Sequence, residues 1–314
     1  MTVSARQEES AEGPEGSDYH AGDAGQSVEL AYKYCEKLAK AHYENFPVGS
    51  LLIPKRLRKH FYSIYAFART ADDFADEGYE HGERAEERIA KIHEWGRMLK
   101  QALCGQASHP IFIALAETQA RFDLPPDLFE DLLSAFAQDV TRTRYESFEQ
   151  LLDYCDRSAN PVGRLILLLF GHKDEGLHQM SDSICTALQL ANHWQDVGID
   201  LRKDRVYLPL EDLERFGLSA DELRVMKADE RFRKLMKYEV ERARELFISG
   251  KPLCTEVGGR LGVELRAIWL GGWRILNRIE ETRYDVFSNR PVISAIDKMK
   301  ILFLAVRREA FRRF

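Results

Sequence analysis

From Ser27 onward, apolar residues recur at spacings of three and four in one run after another, and no stretch alternates apolar and polar residues long enough to make a half-buried strand. Val28, Leu30, Ala31, Tyr34, Cys35 and Leu38 form one such stripe; Ile89, Ile92, Trp95, Met98 and Leu99 form another, and Leu128, Leu132, Phe136 and Val140 a third. A chain patterned this way buries its apolar surface by packing helix on helix, so the expected class is all-α, a helical bundle around a central cavity. Pro47 and Gly49 should end the first helix, and Pro54 should open a second that runs from Lys55 to about Gly78. Further helices are expected over Glu83 to Leu103 and Pro110 to Phe122, then from a cap at Asp127 to Val140, and from Phe148 to Asp156 onward. Val162 to Gly171 is apolar almost all round, which places it in the interior, and a long helix is expected over Val263 to Tyr284. Within that helix, Gly271 and Gly272 allow close approach of a neighbour or a slight kink.

Two of these helices carry acidic faces. At about 100° per residue, Tyr65, Arg69, Asp72 and Asp76 fall within a sector of roughly 60°, whereas Asp73 lies off its centre. Gln189, Asn192, Asp196 and Asp200 repeat the arrangement within roughly 80°. A single Asp pair at this spacing is usually a solvated face. Two pairs differ, because each is set in apolar sequence and each has basic neighbours: Arg69 beside the first, Arg202, Lys203 and Arg205 after the second. Like charges at this spacing repel, so a cation is expected between the faces. Hard oxygen ligands suit Mg²⁺, with Mn²⁺ as a substitute, and Mg²⁺ prefers to be shared with phosphate. The expected metal ligands are Asp72, Asp76, Asn192, Asp196 and Asp200, and the implied substrate carries a diphosphate. Arg69, Tyr65 and the four aspartates are the candidate catalytic groups.

Residues 1–26 hold almost no large apolar side chain and are expected to form a disordered acidic tail. No Pro/Gly/Ser-rich linker interrupts residues 27–310, so residues 27–314 are expected to be one domain. A net charge of −6 argues against a nucleic-acid partner. The five cysteines are scattered without a pairing pattern, which points to reduced thiols and a cytoplasmic location. No apolar run approaches the roughly 20 residues of a membrane span. The basic, aromatic end from Arg307 to Phe314 either contacts an anionic membrane surface peripherally or is a solvated helix end.

At Tyr65–Asp76, at Gln189–Asp200 and at Arg205-Val-Tyr207-Leu-Pro209, the chain resembles the squalene and phytoene synthase family, whose members have an all-α isoprenoid-synthase fold. The likeness runs from about His42 to Arg290. Within the family, Glu44 to Val48 and Ala159 to Gly163 look most like the hydroxysqualene synthase branch of bacterial hopanoid pathways. The resemblance implies diphosphate contacts at His42, Tyr43, Glu44 and Asn45, although Tyr43 and Asn45 replace the usual serine-rich signature. It also implies substrate contacts at Tyr65, Arg69, Gln189, Asn192, Arg205, Tyr207, Tyr284 and Arg290. The implied reaction is loss of diphosphate from presqualene diphosphate with capture of the carbocation by water, without NADPH. Head-to-head synthesis of squalene, phytoene or dehydrosqualene from two farnesyl or other prenyl diphosphates is the alternative. A non-catalytic assembly protein of the same fold is a further one. Phe67, Phe74, Leu165, Leu168, Phe170 and Tyr284 are candidates for the apolar wall that would shield a carbocation. Ser158, Asn160 and the bend at Pro161 stand where the family more often has small or apolar residues. Asn160 is expected either to fix the attacking water or to cap the helix beginning at Pro161.

Overall fold

The computed structural model describes residues 24–41, 53–76 and 84–314, and among these the regular structure is helical. The first eight helices are α1 Ala24–Ala41, α2 Lys55–Asp76, α3 Ala85–Leu103, α4 Pro110–Phe122, α5 Asp127–Thr141, α6 Phe148–Ser158, α7 Asn160–Leu169 and α8 Glu175–Arg202. The short α9 Leu210–Arg215 and α10 Ala220–Leu223 lead into α11 Glu230–Gly250. The chain ends in α12 Leu253–Glu256, α13 Gly259–Glu281, α14 Ala295–Val306 and α15 Arg308–Arg313. Between helices, Arg144 and Val206 form an isolated parallel bridge.

Several boundaries differ from those expected. Helix α1 begins at Ala24, three residues inside the expected tail, and the rest of that tail lies outside the described residues. Helix α3 begins at Ala85 rather than Glu83, after Arg84 in the left-handed region at φ 47°. Asp127 does not cap α5: Pro126 occupies the cap position without a side-chain bond, and Asp127 is already helical. There its charge still favours the positive end of the helix dipole. Asp174, by contrast, caps α8 by accepting from the Leu177 amide at 3.0 Å.

The helices assemble around two apolar cores. Phe67, Trp95, Phe112 and Phe129 centre the first, which joins α1 to α5. The second gathers α6, α8, α11 and α13 around Trp194, Phe247 and Trp269. Helix α7 lies between them, with Leu165, Leu168 and Leu169 in the first core and Leu167 in the second. Its near-uniform apolar surface follows from having two cores to fill. The Gly272 position brings α13 close to α8 and α11: a Cβ there would stand 2.3 Å from Phe247 Cζ and 2.7 Å from Leu188 Cδ2. A buried polar knot clips α1, α2 and α4 together. Its hydroxyls are those of Tyr32, Ser63 and Thr118, and His60 Nδ1 lies 3.0 Å from Thr118 Oγ1. Burial, with Lys59 and Arg121 nearby, pushes the His60 pKa down to about 4, so this imidazole is neutral.

Candidate active site

The two acidic faces lie on helices from different cores, α2 from the first and α8 from the second. On α2, Arg69 contacts Asp73 at 2.6 Å and donates to Asp72 at 3.3 Å, so this guanidinium is held between both carboxylates. Asp76 is the last residue of α2. The turn after α8 delivers its countercharge. Asp204 adopts φ 57°, the Arg205 amide bonds to the Asp200 carbonyl at 2.8 Å, and the Val206 amide bonds to the Thr143 carbonyl at 2.9 Å. Held on both sides, Arg205 donates to the Asp76 carboxylate at 2.7 Å. On α8, Arg290 grips Asp196 with two bonds, Nε to Oδ1 at 2.5 Å and Nη2 to Oδ2 at 3.0 Å. The segment bearing Arg290 is fixed in turn by the Gln195 side chain, which donates to the Pro291 carbonyl at 2.5 Å.

A further carboxylate, unremarked in the sequence, sits at this junction. Asp139, near the end of α5, accepts from the Tyr154 hydroxyl at 2.8 Å through Oδ2, while its buried Oδ1 has no hydrogen-bond partner. Burial pushes its pKa up to about 7 against the pull of Tyr154 and Arg205, with Asp76 and Asp72 adding to the rise. Asp200 is pushed up to about 7 as well, by burial first and then by Asp196, despite Arg205 and Lys203. Burial also raises Asp76, but its bond to Arg205 and the charges of Arg205, Lys203 and Arg88 outweigh that and hold it below the usual carboxylate range. The one signal for Asp139 in the sequence is an ionisable residue within a turn of the core positions Phe136 and Val140.

Other candidate residues fall in varied places. His42, Tyr43, Glu44 and Asn45 lie outside the described residues. Tyr65 is half-buried and stacks on Phe61, Gln189 is half-buried, and Asn192 is exposed on the α8 face. Tyr207 lies behind that face, stacked on His193 with ring centroids 3.6 Å apart and flanked by Tyr145 and Tyr154. The charged neighbours of Tyr284 are Glu280, Arg244 and Glu241, none of them part of the two acidic faces. Phe67 and Leu165 are fully buried in the first core, so they build structure rather than line a cavity wall. Asn160 does not cap α7. Its amide donates to Asp156 at 2.7 Å and accepts from the Thr186 hydroxyl at 3.0 Å, which ties α6 to α8. Each bond uses one of the two N–H donors or one of the two carbonyl lone pairs of the amide.

The donor set suits a divalent cation. Among the described residues no three carboxylate, histidine or cysteine side chains converge on one point. The aspartates instead present themselves singly or in pairs, and burial disfavours the charged form of Asp200 and Asp139 despite the nearby Arg205. Such a set fits Mg²⁺, which takes one or two carboxylates and completes its shell with water and phosphate oxygens.

Comparison with known proteins gives a consistent result. A family model described as squalene/phytoene synthase matches residues 39–297. The chain is 36% identical over 273 residues to a hydroxysqualene synthase of Rhodopseudomonas palustris, covering 86% of this chain and 90% of that protein. It is 30% identical over 293 residues to a phytoene synthase of Arthrospira platensis, covering 88% and 92% respectively. The crystal structure of squalene synthase HpnC from Alicyclobacillus acidocaldarius superposes with a TM-score of 0.77 at 40% identity, covering 83% of this chain and 99% of that one.

Proposed function

Because the chain belongs to the squalene/phytoene synthase family, whose members process prenyl diphosphates, we propose that it is a hydroxysqualene synthase that uses Mg²⁺ to release diphosphate from presqualene diphosphate. The observation that carries diphosphate release is the meeting of two acidic helix faces with Arg205 on Asp76 and Arg290 on Asp196. Asp72, Asp76, Asn192, Asp196 and Asp200 would hold the metal, which when bound neutralises negative charge on the departing diphosphate. Arg205 and Arg290, bonded to Asp76 and Asp196, would exchange carboxylate oxygens for phosphate oxygens when substrate binds and then act as fixed charges during bond cleavage. The carbon–oxygen bond breaks with its electron pair leaving on diphosphate. Water then adds to the carbocation and releases a proton to a neighbouring oxyanion.

Water capture, the finer part of this reading, rests on the higher identity to the hydroxysqualene synthase than to the phytoene synthase. Head-to-head condensation of two prenyl diphosphates is the second reading, favoured by the phytoene synthase match and by the 40% identity to the squalene synthase structure. Incubation with farnesyl and presqualene diphosphates and Mg²⁺, with and without NADPH, separates them. Hydroxysqualene from presqualene diphosphate without NADPH is expected; phytoene or squalene as sole product would overturn the reading.

A further inference from the structure

Helix α14 leaves its apolar side in solvent. Ile296, Met299, Leu302, Phe303 and Val306 are 56–66% exposed, and Val292 just before the helix is 53% exposed. At about 100° per residue the five helical positions share a sector of about 120°, with Lys298 and Lys300 each about 100° from its centre on opposite sides. The helix cannot rotate this stripe inward, because its other side is already committed. Asp297 accepts from Arg274 at 2.8 Å and from Arg278 at 2.6 Å, while Ala305 is fully buried with its carbonyl bonded to Arg266. Single exposed apolar side chains are ordinary, whereas a contiguous row of this size marks an interaction surface. The surroundings are basic: residues 291–314 hold six Lys or Arg and two acidic residues in a chain of net charge −6. Both acids are ion-paired, Asp297 inward to α13 and Glu309 to Arg312.

We propose that α14 docks this chain on an anionic lipid surface, with its apolar stripe among the acyl chains and Lys298 and Lys300 reaching outward to the headgroups. Charge decides between this occupant and a second copy of the chain. A two-fold dimer through the stripe would bring the same lysines together, whereas anionic headgroups complement them. The location serves the chemistry. Exposed Val292 lies two residues after Arg290 and the helical stripe begins six after it, in a segment pinned to α8 through Gln195 and Pro291, so the docked face adjoins the carboxylate site. A long apolar substrate or product can then pass between bilayer and site with little exposure to water. That transfer rests on the prenyl-diphosphate reading, but the docking does not.

The test is co-sedimentation of the full chain with vesicles of phosphatidylcholine alone or of equal parts phosphatidylcholine and phosphatidylglycerol. Binding to the anionic vesicles is expected to be about tenfold tighter and to weaken with added salt. The combined Ile296→Ser, Met299→Ser and Phe303→Ser variant should lose at least about tenfold in binding while keeping its melting temperature and its turnover of detergent-dispersed substrate. Lys298→Glu with Lys300→Glu should abolish the preference for anionic vesicles. The proposal is overturned if the wild type binds neither vesicle, or if the serine variant binds as the wild type does. A dimer that the serine variant converts to monomer would assign the stripe to a second copy, and a large fall in that variant's melting temperature would show that the chain itself covers it. If turnover fails on every prenyl diphosphate but vesicle binding follows this pattern, the functional reading falls and the docking stands.

Discussion

Arg205 and Asp76, 129 residues apart in the chain, meet through a 2.7 Å hydrogen bond that joins the turn after α8 to the last residue of α2. The same guanidinium lies 3.4 Å from the Asp139 carbonyl, so three helices depend on one side chain. Lysine offers a point charge in place of this planar fork. Arg205→Lys is expected to lower diphosphate release by about 10²-fold with helix content unchanged. Steady-state kinetics and circular dichroism check this, and wild-type turnover would remove Arg205 from the site.

Asp72, Asp76, Asp196 and Asp200 each supply charge to the two opposed faces. Replacing any one by Asn should reduce Mg²⁺-dependent diphosphate release by about two orders of magnitude or more and raise the Mg²⁺ concentration needed for half-maximal rate. A phosphate-release assay across a Mg²⁺ titration reads both quantities. Unchanged curves in all four variants would sink the metal assignment.

Asp139 tests whether the junction behind the faces matters to turnover. Asp139→Asn keeps the shape and a partner for Tyr154 but removes a buried negative charge beside Arg205. A fall in kcat of about tenfold or more is expected, with a smaller fall for Tyr154→Phe. Equal kcat in Asp139→Asn and wild type would make Asp139 a packing residue.

Glu239 makes stability depend on pH. It is fully buried on α11, its Oε2 has no partner, and burial pushes its pKa up to about 8, against Arg242 and with help from Asp212. A carboxyl raised above its unfolded value of 4.5 contributes stability that is complete below that value and is lost as pH rises through about 8. Thermal melts from pH 5 to about 9 should show this decline, at most about 1.4 kcal/mol per pH unit from one group. Glu239→Gln cannot ionise and should melt higher than wild type above about pH 8. Parallel melting curves would refute the shift.

Gly272→Ala forces a methyl group into the contact with Phe247 and Leu188. Overpacking of this kind costs about 1–3 kcal/mol, and denaturant titration should show that loss. No loss would mean that the aromatic ring yields freely.

Local chemistry decided much of this protein in advance. The three-and-four spacing determined an all-α chain, Pro110 and the Pro125-Pro126 break marked helix ends to within a residue or two, and the two Asp rows could be placed on single helix faces because helical geometry is periodic. The motifs in those rows also sufficed to recognise the family. Tertiary structure decided what lies across from what. Sequence spacing cannot show that Arg205 reaches Asp76, that Arg290 grips Asp196, or that Asp139 is buried among them, because each depends on how far apart two cores and the helices between them come to rest. It likewise assigned Phe67 to a core, turned the Asn160 amide toward Asp156 and Thr186, and left the α14 stripe without a packing partner among the described residues. A residue's face on its helix follows from its number in the chain, whereas its neighbours follow from packing.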